Sequence, residues 1–153
     1  MTSEATNVAR IDAGGTRQLV YGNDEVHRAW AAERIAGGAR FGDEAVTIGV
    51  ERGGTLCAVA IYNLFTDSSC HAHIASDGSK AWASPGVLAA IFAYPFRQCG
   101  VRRITLPIAA SNRASLILAI KLGFQFEGRL IAGCGDEDEI LLGMLAEDCH
   151  WIK

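Results

Sequence analysis

Between residues 46 and 76 the chain runs through three apolar stretches with the period of a β-strand, and helical patterns occur only before and after them. In the first stretch Val46, Ile48 and Val50 alternate with Thr47 and Gly49, the pattern of a half-buried strand. Gly53-Gly54 supplies a two-residue turn into a longer, more apolar strand over 55–65, so the pair reads as an antiparallel hairpin. Asp67-Ser68-Ser69 makes the next turn, and a strand over 70–76 completes a meander. Three strands in a row exclude a strictly alternating chain, and helices on either side exclude a sandwich.

The flanks complete the order. Residues 17–21 form a short first strand, with 1–15 set apart as a flexible or loosely packed segment. Asn23-Asp24-Glu25 reads as a helix start, a capping side chain followed by acids facing the positive end of the dipole, and Gly37-Gly38 stop that helix. Ser84-Pro85 opens a second helix, which Pro95 should kink or end and Gly100 closes. Residues 101–108 form a strand in which Pro107 lacks a ladder donor, so pairing should fail near its end. A third helix runs from Asn112 to Leu122; Gly123 takes the left-handed closing position, and Phe124 can fold back on Leu118 or Ala119. Strands over 124–131 and 140–145, joined by the acidic loop Gly135-Asp136-Glu137-Asp138, end the domain. The order β-α-β-β-β-α-β-α-β-β predicts an α/β fold, one mixed sheet with helices on its faces.

A chain of 153 residues, half of them hydrophobic, suits a single domain with its own core. A net charge of −3 argues against a general nucleic-acid binder, though not against a nucleobase as substrate. No apolar run is long enough to span a membrane, and Met1 to Thr6 lack the basic-then-apolar pattern of a signal peptide. Five cysteines, an odd number with no C-x-x-C pair, read as reduced and mostly buried thiols, which points to the cytoplasm.

The element order, Asn112-x-x-Ser115 and Lys121-Leu122-Gly123-Phe124-x-x-Glu127-Gly128 together resemble the GNAT acetyltransferases. Tyr94-Pro95-Phe96 and the Cys149-His150-Trp151 tail are similar to small GNAT proteins of phage genomes, whose site of action would be the host cytoplasm. The resemblance implies that the strand over 70–76 splays from the strand over 101–108. Acetyl-CoA would enter that gap, its pantetheine arm pairing with the backbone of Ile74, Ala75 and Ser76 as an added strand. The loop holding Lys80, Trp82, Ala83 and Ser84, with Gly86 and Val87 of the following helix start, would meet the pyrophosphate. Between Asp77 and Glu127 there is no carboxylate, while Lys80, Arg97, Arg102, Arg103, Arg113 and Lys121 are basic, which suits a polyanionic ligand. The family's phosphate loop is glycine-rich; here only Gly86 is a glycine, Pro85 has no N–H, and Trp82 is expected to cover the cofactor instead.

Acyl transfer to an amine needs a polarised thioester, a neutral amine and an acid for the leaving thiolate. The family's usual acid is a tyrosine four residues before the glycine of the G-F pair, where this chain has Ala119. Ser115 or ordered water is the alternative. His71 and His73 alternate with Ala72 and share a face, so either can serve as base, with His73 nearer the expected acetyl position and Glu127 as a third option. Cys70 points away from that face and no second ligand cluster follows, so no metal site is expected. Asn112 at a helix start can cap the backbone or reach the pantetheine amide. The resemblance implies an amine-bearing acceptor, whether a small molecule, a protein amine or a modified nucleobase. Its pocket would be built by the first helix, residues 37–44 and the last hairpin, with homodimerisation through the last strands. The second function class is a GNAT-like domain without activity, serving as a binding or virion component.

Overall fold

The computed structural model describes residues 7–10, 17–35, 41–80 and 82–153. Among them run the strands β1 (Asn7–Arg10), β2 (Arg17–Tyr21), β3 (Val46–Arg52), β4 (Thr55–Asn63), β5 (Ser69–Ser76), β6 (Arg103–Ala109), β7 (Gln125–Cys134) and β8 (Glu137–Leu145). They form one sheet in the order β1-β2-β3-β4-β5-β6-β8-β7. Neighbours are antiparallel except β5 and β6, which run parallel. The helices are α1 (Asp24–Arg34), α2 (Pro85–Ala93) and α3 (Arg113–Leu122). This is the expected mixed α/β sheet with one strand more, because residues 7–10 pair with β2 as an edge strand.

Period-two alternation sorts the strands' side chains between two cores. Val59, Ile61 and Ala75 face Ala31 of α1, while Ala60, Tyr62 and Cys70 face Val87 and Phe92 of α2 and Leu122 of α3. The Tyr62 hydroxyl, wholly inside, donates to the Ile91 carbonyl at 2.6 Å, so its burial leaves no polar atom unpaired.

Several local expectations change. Asn23 sits at the N-cap of α1, but its side chain makes no capping bond; the Asp24 carboxylate instead accepts from the N–H and the hydroxyl of Thr47, tying α1 to β3. The proposed stop at Gly37-Gly38 lies outside the described residues. In α2 regular geometry ends at Ala93, and Tyr94–Gln98 continue as a π turn closed by Cys99 N–H on the Tyr94 carbonyl. Pro95, with no N–H to offer an α-turn, explains the change of pitch. Pairing of β6 with β8 does not fail at Pro107 but runs on to Ala109. It is the β5 edge that ends early, after Thr105, and there a missing N–H costs nothing.

The last hairpin is longer than its apolar pattern suggests, and Glu137 and Asp138 belong to β8 rather than to a loop. Both carboxylates have donors: Ser111 N–H and hydroxyl for Glu137, Arg129 and Ala132 N–H for Asp138. The close of α3 is as expected. Gly123 has φ 111°, and Phe124 N–H returns to the Ala119 carbonyl at 3.0 Å. Trp151 then donates from its indole to the Leu122 carbonyl at 2.9 Å, so the tail caps the helix.

Candidate active site

The parallel ladder between β5 and β6 lasts for three pairs, from Ser69↔Arg103 to His71↔Thr105. Beyond it β5 stays paired with β4 and β6 with β8, so the sheet splits between them. A cavity of about 170 Å³ fills the split. Its walls are Ala72, His73 and Ile74 of β5, residues 106–109 of β6, and Asn112, Ser115, Leu118, Ala119 and Leu122 from the α3 side; Ile35, Cys134 and Glu139 close it. The expected splay is therefore present, and it brings together two of the three proposed catalytic residues, His73 and Ser115, with Asn112.

Each of these side chains is held by local chemistry. Asn112 is the N-cap of α3 and accepts Ser115 N–H at 3.2 Å, so the capping role is taken while the residue still borders the cavity. The Ser115 hydroxyl makes no bond among the described residues and remains available. His73 packs edge-on against Phe41, ring centroids 5.1 Å apart, and Phe41 is anchored by Asn63 Nδ2 donating to its carbonyl at 3.1 Å. Asn63 Oδ1, on the other hand, is buried without a partner among the described residues.

Burial lowers the His73 pKa to about 4, with His71 beside it pushing the same way. The imidazole is therefore neutral at pH 7 and a weak base. His71 is also lowered by burial; the charge of Glu139 works against that shift and Arg103 adds to it. Glu127, the third option for a base, is engaged: it pairs with Arg103 and lies over Gly143, where a Cβ would collide with its carboxylate.

Ile74, Ala75 and Ser76 lie past the last pair with β6, so their edge facing the split is unpaired, as the proposed docking of a pantetheine arm requires. The loop expected to meet the pyrophosphate is less open than expected. Ala83 N–H bonds to the Lys80 carbonyl, Ser84 N–H to Trp82, and Val87 N–H to the Ser84 hydroxyl. With Pro85 lacking an N–H, Gly86 N–H is the one donor of the first helical turn without an acceptor among the described residues. Trp82 is 3 % exposed and packs in the core, so its side chain does not reach out over a ligand. Lys80 is exposed in the loop. Of the six basic residues, Arg97 donates to the Ile152 carbonyl, Arg102 pairs with Glu147 at 3.7 Å and Arg103 with Glu127. The acid-free stretch is thus partly neutralised by residues outside it.

Sequence reasoning missed Cys134, and it took Glu139 only as one acid of the run 136–139, a loop that could favour a cationic amine. No spacing signal marks them, because the Ala109↔Glu139 pairing that carries Glu139 to the cavity is a matter of strand register. The expected acceptor-side loop falls partly outside the described residues.

No protein-family model and no curated protein sequence matches the chain. Solved structures do. A point mutant of the spermidine N-acetyltransferase SpeG from Vibrio cholerae aligns over 85 % of this chain and 94 % of its own, with TM-score 0.66 and 13 % identity. YncA from Salmonella typhimurium, described as a candidate acetyltransferase and solved with its cofactor acetyl-CoA, aligns with the same figures. A GNAT-family acetyltransferase from Bacillus anthracis aligns over 66 % of each chain, with TM-score 0.56 and 18 % identity. Over this and two other matches the chain spans just under two thirds of the partner's length, 63–66 %. The fold is that of the GNAT acetyltransferases.

Proposed function

We propose that the protein is an acetyl-CoA-dependent N-acyltransferase that moves an acetyl group to an amine. The single observation that carries the reading is the split between β5 and β6, with an unpaired strand edge on one side and a cavity at its base. A pantetheine arm is an extended chain of amides, and the edge at Ile74, Ala75 and Ser76 offers it ladder partners. Among the described residues, Gly86 N–H and Lys80 are groups open to the pyrophosphate. The co-substrate supplies a thioester carbonyl open to attack by a neutral amine; the carbon–nitrogen bond forms as the carbon–sulfur bond breaks.

This chain's own residues then handle protons and position. The Ser115 hydroxyl, free and at the cavity wall, is suited to deliver a proton to the departing thiolate directly or through water. His71, with Glu139 countering its desolvation, is suited to pass on the proton that the amine loses; His73, held near 4, is suited to accept a hydrogen bond from the amine rather than to hold its proton. Thermal-shift titration with acetyl-CoA tests the reading: stabilisation should grow with concentration, and no response at about millimolar ligand would sink it. The sparse donors of the phosphate loop and Ala119 in place of a tyrosine favour, as a second reading, a GNAT-like binding domain without activity. That same titration, followed by thiol release with a panel of amines, separates the two.

A further inference from the structure

Four acidic residues, 136–139, follow one another at the tip of the β7–β8 hairpin, and their surroundings differ. Glu137 accepts from Ser111 N–H at 2.9 Å and the Ser111 hydroxyl at 3.0 Å, and these bonds hold its pKa below the ordinary value. Asp138 accepts from Ala132 N–H at 2.9 Å and Arg129 Nε at 2.5 Å, with the same effect. Glu139 has neither a backbone donor nor a cation among the described residues. Its partner is the Cys134 thiol at 3.2 Å, a weak donor. Gly133 makes room for it, since a Cβ there would lie 2.8 Å from the Glu139 Cβ.

Register carries this carboxylate opposite Ala109 at the end of β6, where it lines the cavity. Among the described residues it is the one acid lining the cavity and no lysine or arginine lines it, and Leu106, Ile108 and Leu118 make much of the wall apolar. A ligand entering such a cavity strips water from a charge that no described residue neutralises. That is costly unless the ligand brings the opposite charge. We infer that Glu139 receives the positively charged nitrogen of the acceptor, so that the cavity selects alkylammonium compounds over neutral or anionic ones of the same shape. The assignment rests on reading this cavity as the acceptor end of an acyltransferase site, but it concerns amine binding alone and is measurable without the co-substrate.

The test uses the full chain, wild type and Glu139→Gln, which keeps the side chain's shape and its contact with the Cys134 thiol. Binding of n-butylamine, n-butanol and butyrate is followed by NMR titration of the isotope-labelled protein at about neutral pH, and acetyl-CoA is titrated separately. Wild type is expected to bind butylamine and neither of the others, and E139Q to bind it about tenfold more weakly or worse, as loss of a charged hydrogen bond implies. Acetyl-CoA should bind both alike. Equal butylamine affinity in the two proteins would overturn the assignment, as would no binding of butylamine to wild type, or butyrate binding as well as butylamine. If wild type binds butylamine through Glu139 but not acetyl-CoA, the ammonium site stands and the acyltransferase reading falls.

Discussion

Replacing His73 with glutamine should remove a large part of the protein's sensitivity to acid. The imidazole has an ordinary pKa of 6.5 in the unfolded chain and one of about 4 in the fold, where burial and His71 disfavour its charge. Below pH 6.5 the unfolded chain therefore binds a proton that the folded chain refuses until about pH 4. Stability is complete above pH 6.5 and is lost as pH falls through that window. The full gap corresponds to about 3 kcal/mol, and the loss between about pH 7.5 and pH 5 to about 2 kcal/mol. His27 and His71, whose pKa values burial also lowers, stay in both proteins and largely cancel in the comparison. Urea denaturation of wild type and His73→Gln at the two pH values gives the answer. The variant should start lower at pH 7.5, because the edge contact with Phe41 is gone, yet lose about 2 kcal/mol less on acidification. Equal losses within about 0.5 kcal/mol would refute the reasoning.

Other outcomes follow from single contacts. Ser115→Ala removes a hydroxyl without a partner among the described residues, so thermal stability should hold within about 0.5 kcal/mol while acetyl transfer drops at least about tenfold; an unchanged rate removes the assigned role. Asn112→Ala deletes the cap on Ser115 N–H and should cost about 1 kcal/mol, seen as a lower melting temperature. Gly123→Ala puts a side chain at φ 111° and 3.3 Å from the Met144 terminal carbon; a loss of more than about 1 kcal/mol is expected in denaturant titration.

Much of the sheet was legible because its signals are local. Alternation at Val46, Ile48 and Val50, the paired glycines 53 and 54 with φ 59° and 82°, and the asparagine cap and glycine stop of α3 each state their own geometry. The misses have physical causes too. Residues 7–10 lack an alternating apolar pattern, and an edge strand needs none. Glu137 and Asp138 looked like loop residues by composition; donors from Ser111, Arg129 and Ala132 let them sit in a strand. The acid-free stretch from 78 to 126 suggested a basic face, and distant partners such as Glu147 took up part of that charge.

By itself the sequence determined the order of elements from residue 17 onward and the capped helix that carries Asn112 and Ser115, while the split in the sheet was an expectation from the family resemblance. The first two follow from periodicity, caps and turns, all of which act over a few residues. Tertiary structure decided what surrounds the split. It buried Trp82 in the core, bonded the Ala83, Ser84 and Val87 N–H groups within the loop before α2, weakened His73 as a base, and brought Glu139 across from the last hairpin. Burial, hydrogen-bond pairing and strand register between distant segments are set only when the chain closes on itself, so no local pattern records them.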